Sequence, residues 1–368
     1  MADGGVFRLY GATFSLYTGK VRAYLRYRNI PFTEERITGR IIKRIGYFMV
    51  PVLETPEGEL VQDSTEIIDY LEERFAASGP SIYPEDPVQR LVALLVEVYA
   101  DEWLRIPAMH YRWKYNRDYV IREFGRIAAP GAPEQEQILA GEQASAGFSG
   151  SLPGLGITPD TWAAIESWYE ELLGQLHAHL ENREYMFGSR PSIGDYGLMA
   201  PLYAHLYRDP WSGQQMRRLA PNLVRWIDMM NTPWANGGTY EPDLAPTMIP
   251  VLKRIFADCV PAMVDTCRQV SRWHEEHPGE AIPRSIGRHG FSIGGIPGQR
   301  LITPFSQWMF QRPLDYYHSL TGPAKARADH LLTETGGKDL MQEPVQAKDR
   351  LSRQNYQLIF IGDTSRNP

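Results

Sequence analysis

The strongest constraint on this chain is the run Val50-Pro51-Val52-Leu53-Glu54-Thr55-Pro56-Glu57-Gly58-Glu59-Leu60-Val61-Gln62-Asp63-Ser64. Two short apolar segments flank Thr55-Pro56-Glu57-Gly58, which has proline at the second turn position and glycine at the fourth, so a β-hairpin is predicted. Asp63, with Glu66 three residues on, forms a capping-box pattern ahead of Ile67, Ile68 and Leu71, so a helix starts directly after the second strand. Pro51 stands at the mouth of the first strand. Proline has no N–H and is kept out of central strand interiors, which marks a fixed kink and fits a cis bond. A free strand edge at that kink, beside a helix N-terminus, offers backbone groups and a dipole to a peptide-like anion.

The segment before this run is short and alternates. Val6 to Tyr10 reads as a strand. Leu16 to Asn29 has helical spacing, with Tyr17, Val21, Tyr24, Leu25 and Arg28 on one side and Lys20, Arg22 and Arg26 on the other. Ile30 to Ile37 is extended, and Arg40 to Tyr47 is a basic, irregular connection. The order βαβ, connection, ββα predicts an α/β, thioredoxin-like domain over residues 5–77, followed by an all-α domain. A Pro/Gly-rich stretch from Ser78 to Pro87 marks the boundary. Residues 86–233 read as helical, with a long loop at 128–157 that is rich in Ala, Gly and Gln. Residues 234–333 read as a mostly helical extension, with a hairpin between Phe291 and Thr303. Residues 334–368 are polar and read as a flexible tail.

Charge and cysteine usage exclude several function classes. The net charge is −6 and no Lys/Arg stripe stands out, so no nucleic-acid partner is expected. Residues 1–5 lack a signal-peptide pattern. The most apolar stretch, Leu91 to Ala100, contains Glu97 and is too short to span a bilayer, so no membrane partner is expected. The two cysteines, Cys259 and Cys267, form no disulfide framework, and a cytoplasmic location is expected. His274-Glu275-Glu276-His277 is not HExxH and has no third ligand nearby, so no metal site is expected.

Six short motifs fall in order along the chain: Ser15-Leu16-Tyr17-Thr18-Gly19-Lys20-Val21-Arg22, Ile30-Pro31-Phe32, Val50-Pro51-Val52-Leu53, Asp63-Ser64, Ile67-Ile68-x-Tyr70-Leu71 and Arg190-Pro191-Ser192-Ile193-Gly194-Asp195. In this order and spacing, over residues 5 to 230, the chain resembles the cytosolic glutathione transferases. The resemblance implies glutathione as co-substrate, a small apolar or aromatic electrophile as second substrate, and a homodimer. It implies that the backbone at Val50, ahead of cis-Pro51, pairs with the cysteinyl part of glutathione. It implies that Asp63 and Ser64 hold the γ-glutamyl end and that Ser15 activates the thiol, as in serine-type members, with Tyr17 a second ligand contact. Met49 stands where the family often has a lysine, so Arg40, Lys43 or Arg44 is left to meet the glycine carboxylate. The aromatic cluster Trp103, Met109, Tyr111 and Trp113 is assigned to the apolar-substrate site.

A hydroxyl donating to sulfur and the field of a helix N-terminus both favour a thiolate, so Ser15 is chemically suited to that role. As a residue it is equally an ordinary N-cap. Thr18 and Tyr10 are rival activators. Asp195 reads as a structural cap. Residues after Pro233, which typical family members lack, leave open a second reading: a glutathione-fold binding or scaffold protein without turnover.

Overall fold

The structure is a computed structural model and describes residues 5–232 and 237–362. The boundary expected at Pro233, the start of the chain at residues 1–4 and the last six residues of the expected tail, 363–368, lie outside the described residues.

The N-terminal domain runs β1 (Phe7–Tyr10), α1 (Leu16–Tyr27), β2 (Phe32–Glu35), α2 (Gly39–Ile45), β3 (Val52–Glu54), β4 (Leu60–Gln62) and α3 (Ser64–Arg74). The sheet order is β2-β1-β3-β4. Strand β1 pairs in parallel with β2 and antiparallel with β3, which pairs antiparallel with β4. This is the thioredoxin-like arrangement the alternation predicts. Period-2 alternation divides the two faces. Phe7, Leu9 and Leu53 point inward with Val21, Leu25, Ile67 and Leu71, while Tyr10, Val52 and Leu60 face out and meet Ile41 and Ile45. The expected irregular connection at 40–47 is largely helix α2, whose short basic sequence hides the buried pair Ile41 and Ile45, one turn apart on one face.

The rest is mainly helical. Helix α4 (Pro87–Val98) runs through a π-helical turn, Tyr99–Trp103, into α5 (Arg105–Tyr115) and α6 (Arg117–Ala128). Helices α7 (Glu134–Gly150), α8 (Pro159–His179) and α9 (Ile193–Pro201) follow, then α10 (Pro210–Leu219), α11 (Pro221–Met230), α12 (Met248–Arg254) and α13 (Val260–Glu276). A hairpin of β5 (Arg288–Ile293) and β6 (Ile296–Leu301) precedes α14 (Pro304–Ser319) and α15 (Gly322–Thr335). The chain closes with a second hairpin, β7 (Leu351–Gln354) and β8 (Gln357–Phe360). Helix α9 packs on both α1 and α4, so the core of the helical part is continuous with that of the sheet. Asp195 is fully buried and closes a capping box with Ser192, and it also accepts from Met186 N–H and Trp226 Nε1 at 3.0 Å each.

Two further expectations are corrected. Residues 128–157 are not a long loop: 134–150 form α7, which lies tightly on α6. A Cβ on Gly141 would stand 2.1 Å from the Ile121 carbonyl oxygen, so the small residues that read as loop are what let two backbones approach. The polar tail is also ordered as far as it is described. Arg353 is buried and donates to the Gln62 carbonyl at 2.8 Å, to the Gln62 side chain and to Glu66 at 2.6 Å. Gln307 and Gln311 donate to the Asp349 and Leu351 carbonyls at 2.6 and 2.8 Å. The polar composition is consumed in specific hydrogen bonds, which composition alone does not reveal.

Arg40, one of the residues assigned to the glycine carboxylate, is committed elsewhere. On the outer face its guanidinium donates to both oxygens of buried Glu54 at 2.9 Å, and Tyr10 donates to the same carboxylate at 2.7 Å. These donors hold Glu54 at about 2, down from 4.5, despite its burial. A depressed carboxylate stabilises the fold above its unfolded pKa and loses that contribution as pH falls through the folded one. Glu54→Gln is therefore expected to cost about 2 kcal/mol at neutral pH by urea unfolding. Between pH 4.5 and about 2 the wild type should lose more stability than the variant, and equal acid sensitivity would contradict this account.

Candidate functional site

The register of the sheet decides where the candidate residues meet. Tyr10 pairs with Val52, and Val52 with Gln62, so these three form one row across β1, β3 and β4. The chain leaves that row toward Gly11–Ser15 after β1, enters it from Val50-Pro51 before β3, and leaves it into Asp63-Ser64 after β4. Three segments that are distant in sequence are thereby delivered to one end of the sheet, beside the N-termini of α1 and α3.

Each segment has a local cause. Ser15 is the N-cap of α1 in extended backbone, with φ −76° and ψ 132°, and its Oγ accepts from the Thr18 N–H at 3.4 Å. That contact is long, and it leaves the hydroxyl hydrogen free to donate. The approach from β1 is close: a Cβ on Gly11 would stand 2.3 Å from the Thr18 side chain. The Val50–Pro51 peptide bond is cis, and Val50 makes no backbone hydrogen bond among the described residues. Asp63 caps α3 by accepting the Thr65 N–H at 2.8 Å, with φ at +90°, a conformation costly for a residue with a side chain. Glu66 does not close the expected capping box, because its carboxylate turns to Arg353. Ser64 is buried, and its hydroxyl has no hydrogen-bond partner among the described residues.

Residues 9–80 match the family model described as glutathione S-transferase, N-terminal domain. Over these residues the chain is similar to the N-terminal domain of glutathione S-transferases. A probable glutathione S-transferase, GSTU6, of Oryza sativa subsp. japonica is 31% identical over 114 residues, which is 28% of this chain and 48% of the relative. The chain thus spans about half the length of the curated relative it matches. Among solved structures, the β-etherase LigF of Sphingobium sp. strain SYK-6 is 21% identical with a TM-score of 0.45, covering 62% of this chain and 95% of LigF. A glutathione S-transferase of Ceriporiopsis subvermispora in complex with glutathione is 16% identical with a TM-score of 0.43, covering 62% of this chain and 98% of that one. Both are distant similarities, and neither carries function to this chain.

In this domain the remaining candidates separate. Tyr17 donates to the Asp101 carbonyl at 2.9 Å, and burial holds its phenol protonated. Tyr10 is turned to the outer face and bonded to Glu54, away from α1. Thr18 is fully buried and its Oγ1 lacks a partner among the described residues. Lys43 is exposed and forms no ion pair among the described residues. Trp103, Met109, Tyr111 and Trp113 are all buried and do not form an exposed apolar wall. Tyr111 packs against Tyr169 and Trp211, with ring centroids 5.2 and 5.6 Å away, as part of the core. His274 donates to Asp349 at 3.1 Å and stacks on Phe360, while His277 donates to the Trp273 carbonyl.

Sequence reasoning misplaced Lys20 and Arg22, both expected on the outer side of α1 and both buried, and Lys20 is the more consequential. The Lys20 ammonium is fully buried and donates to Asp101 at 2.6 Å, Glu97 at 2.8 Å and Thr65 Oγ1 at 3.0 Å. Burial alone would lower the Lys20 pKa, but Asp101 and Glu97 outweigh it and hold the ammonium charged. Burial pushes Asp101 up, and Glu97 beside it adds to that, whereas Lys20 and Arg312 hold Glu97 below its ordinary value. A usable signal was present: a lone Glu97 inside the apolar run 91–100 demands a buried partner. Removing one member of such a set leaves an uncompensated charge. Lys20→Met is expected to destabilise by about 3–5 kcal/mol in urea unfolding, and a loss under about 1 kcal/mol would mean that the pair contributes little.

Proposed function

We propose that this protein binds glutathione at the row end of the sheet and activates its thiol for attack on an apolar electrophile. The observation that carries this reading is the convergence of Ser15, Val50 and Asp63-Ser64, delivered by the Tyr10–Val52–Gln62 register. The unpaired backbone of Val50 is suited to bond the cysteinyl residue of glutathione in strand fashion. The start of α3 offers N–H groups, the Ser64 hydroxyl and the field of a helix N-terminus to the γ-glutamyl carboxylate. The strained backbone of Asp63 is consistent with a functional turn. Arg40 is held by Glu54, and Arg44 by Glu54 at 3.7 Å and the Gly58 carbonyl at 3.1 Å, so Lys43, which forms no ion pair among the described residues, is the candidate left for the glycine carboxylate.

The chemistry follows from the thiol. A thiol with pKa about 8.5 is mostly protonated at neutral pH, and the thiolate is the nucleophile. Ser15, donating its free hydroxyl hydrogen to sulfur at the head of α1, stabilises the thiolate. The sulfur then attacks an electrophilic carbon to form a thioether, and the displaced group or the adjacent carbanion takes a proton. This assigns the serine-type mode. Residues 5–77 act as the glutathione unit, and residues 86–233 contribute the acceptor side.

Ser15→Ala should leave retention on immobilised glutathione nearly intact and raise the bound thiol pKa by about one to two units, read by ultraviolet titration of the thiolate. It should lower kcat by about 10²-fold or more with model electrophiles. An unchanged bound-thiol pKa would remove Ser15 as the activator. No retention of the wild type would sink the whole reading.

A further inference from the structure

Helix α3 carries an unfinished N-cap. Asp63 and Glu66 have the spacing of a capping box, in which the later carboxyl accepts the N–H of the cap residue. Asp63 makes its half of the box by accepting the Thr65 N–H at 2.8 Å. Glu66 does not make the other half: its Oε2 accepts from Arg353 Nη1 at 2.6 Å. The Asp63 N–H is left without a partner among the described residues. The Ser64 N–H lies in the first turn, where helical geometry supplies no acceptor.

Arg353 reaches this turn from β7, and its side chain is only 4% exposed. The same guanidinium donates to the Gln62 carbonyl at 2.8 Å and to the Gln62 side chain. It therefore grips the residue before the cap and the third residue after it at once. The Tyr47 hydroxyl lies 2.9 Å from Gln62 Oε1 and 2.6 Å from the Tyr356 carbonyl, which ties the hairpin tip to the same residue.

The hairpin itself is held firmly. Gln311 of α14 accepts from the Leu351 N–H at 2.9 Å and donates to its carbonyl at 2.8 Å. The turn residues Asn355 and Tyr356 have φ of +50° and +65°, the pattern of a tight two-residue hairpin. Positive φ is costly for an aromatic residue and persists only where its surroundings impose it. Here the Tyr356 hydroxyl donates to the Leu60 carbonyl at 3.2 Å. Arg312 of α14 bonds Asp69, one turn beyond Glu66, so α14 and the hairpin clamp one face of α3. Burial pushes the Glu66 carboxyl up to about 7, and Arg353 is the largest influence against that. Released from Arg353, this carboxyl stands at the spacing that closes the box onto the Asp63 N–H. It would then occupy a donor at the helix start and crowd an incoming carboxylate.

We infer that Arg353 is a positioning residue of the glutathione site: it braces the Gln62-Asp63 turn and holds Glu66 off the N-cap, so that the start of α3 stays open to the γ-glutamyl carboxylate. The C-terminal hairpin thereby completes a site whose contact residues all lie in the N-terminal domain. The inference rests on the glutathione reading above.

The test uses the full chain and calorimetric titration of glutathione, with melting curves to confirm folding. Arg353→Met should weaken glutathione about tenfold or more. In steady-state kinetics the loss should appear in KM for glutathione, with kcat at saturating glutathione within about twofold of wild type, because Ser15 is untouched. Glu66→Ala alone should bind as tightly as wild type. The double variant Arg353→Met/Glu66→Ala should recover to within about threefold of wild type, since no carboxyl remains to close the box. If Arg353→Met does not fold, Arg353→Lys replaces it. One ammonium cannot grip Gln62 and Glu66 as the fork does, so a loss of about threefold or more, again recovered with Glu66→Ala, is expected. Unchanged glutathione affinity in the single Arg353 variant overturns the inference and leaves the glutathione reading intact. An equal loss in single and double variants overturns it too, by reducing Arg353 to a brace of the fold. Wild type that binds no glutathione defeats the glutathione reading, and this inference with it.

Discussion

The buried ammonium of Lys20 ties together the parts that make the candidate site. It comes from α1, the helix that Ser15 caps. It meets Thr65 in the first turn of α3, the helix that Asp63 caps, and it reaches Glu97 and Asp101 on α4 and its π-helical turn. One charge therefore sets the spacing of two helix N-termini and anchors both to the helical part of the chain. A buried charge of this kind tolerates little displacement, because each missing hydrogen bond exposes a desolvated group. Tyr17, bonded to the Asp101 carbonyl, adds a second tie across the same junction.

The sheet supplies the complementary constraint. A strand register is all-or-none, since a slip of one residue turns every side chain to the other face. With Leu9 and Leu53 buried inward, and Tyr10, Val52 and Leu60 packed on Ile41 and Ile45, the row Tyr10–Val52–Gln62 has no alternative. The loops that carry Ser15, Val50 and Asp63 then have one place to go. On the outer face, Glu54 gathers Arg40 and Tyr10 and so withdraws two candidate ligands from the site.

The C-terminal residues return to this framework twice. The β7–β8 hairpin docks on β4 and α3 through Arg353, and Tyr356 donates to the Leu60 carbonyl at 3.2 Å. The β5–β6 hairpin presses Phe291 and Arg300 onto Trp103 next to the π-helical turn. Neither contact involves a long apolar segment. The first aims Arg353 and Tyr356 at polar groups of β4 and α3, and the second lays a guanidinium and a ring against the Trp103 indole.

The local outlines of the N-terminal domain were legible in the sequence. The Thr55–Gly58 turn, the capping residues Ser15, Asp63 and Ser192, and the apolar alternation of the strands are set by neighbours within a few positions, so the residues themselves determine them. The small-residue helix α7 was misread as loop, because its packing on α6 depends on a glycine contact between helices. The burial of Lys20, the capture of Arg40 by Glu54 and the exposure of Lys43 could not be read from the chain. The same holds for the ordered tail and the burial of Arg300. Each is a question of which charge meets which partner across 14 to about 290 residues of sequence, as the separations within the Arg40–Glu54 and Arg353–Gln62 contacts show. A charged side chain carries no local mark of whether water or a buried carboxylate will be its neighbour. Only the tertiary structure, by bringing the elements together and excluding solvent, decided that.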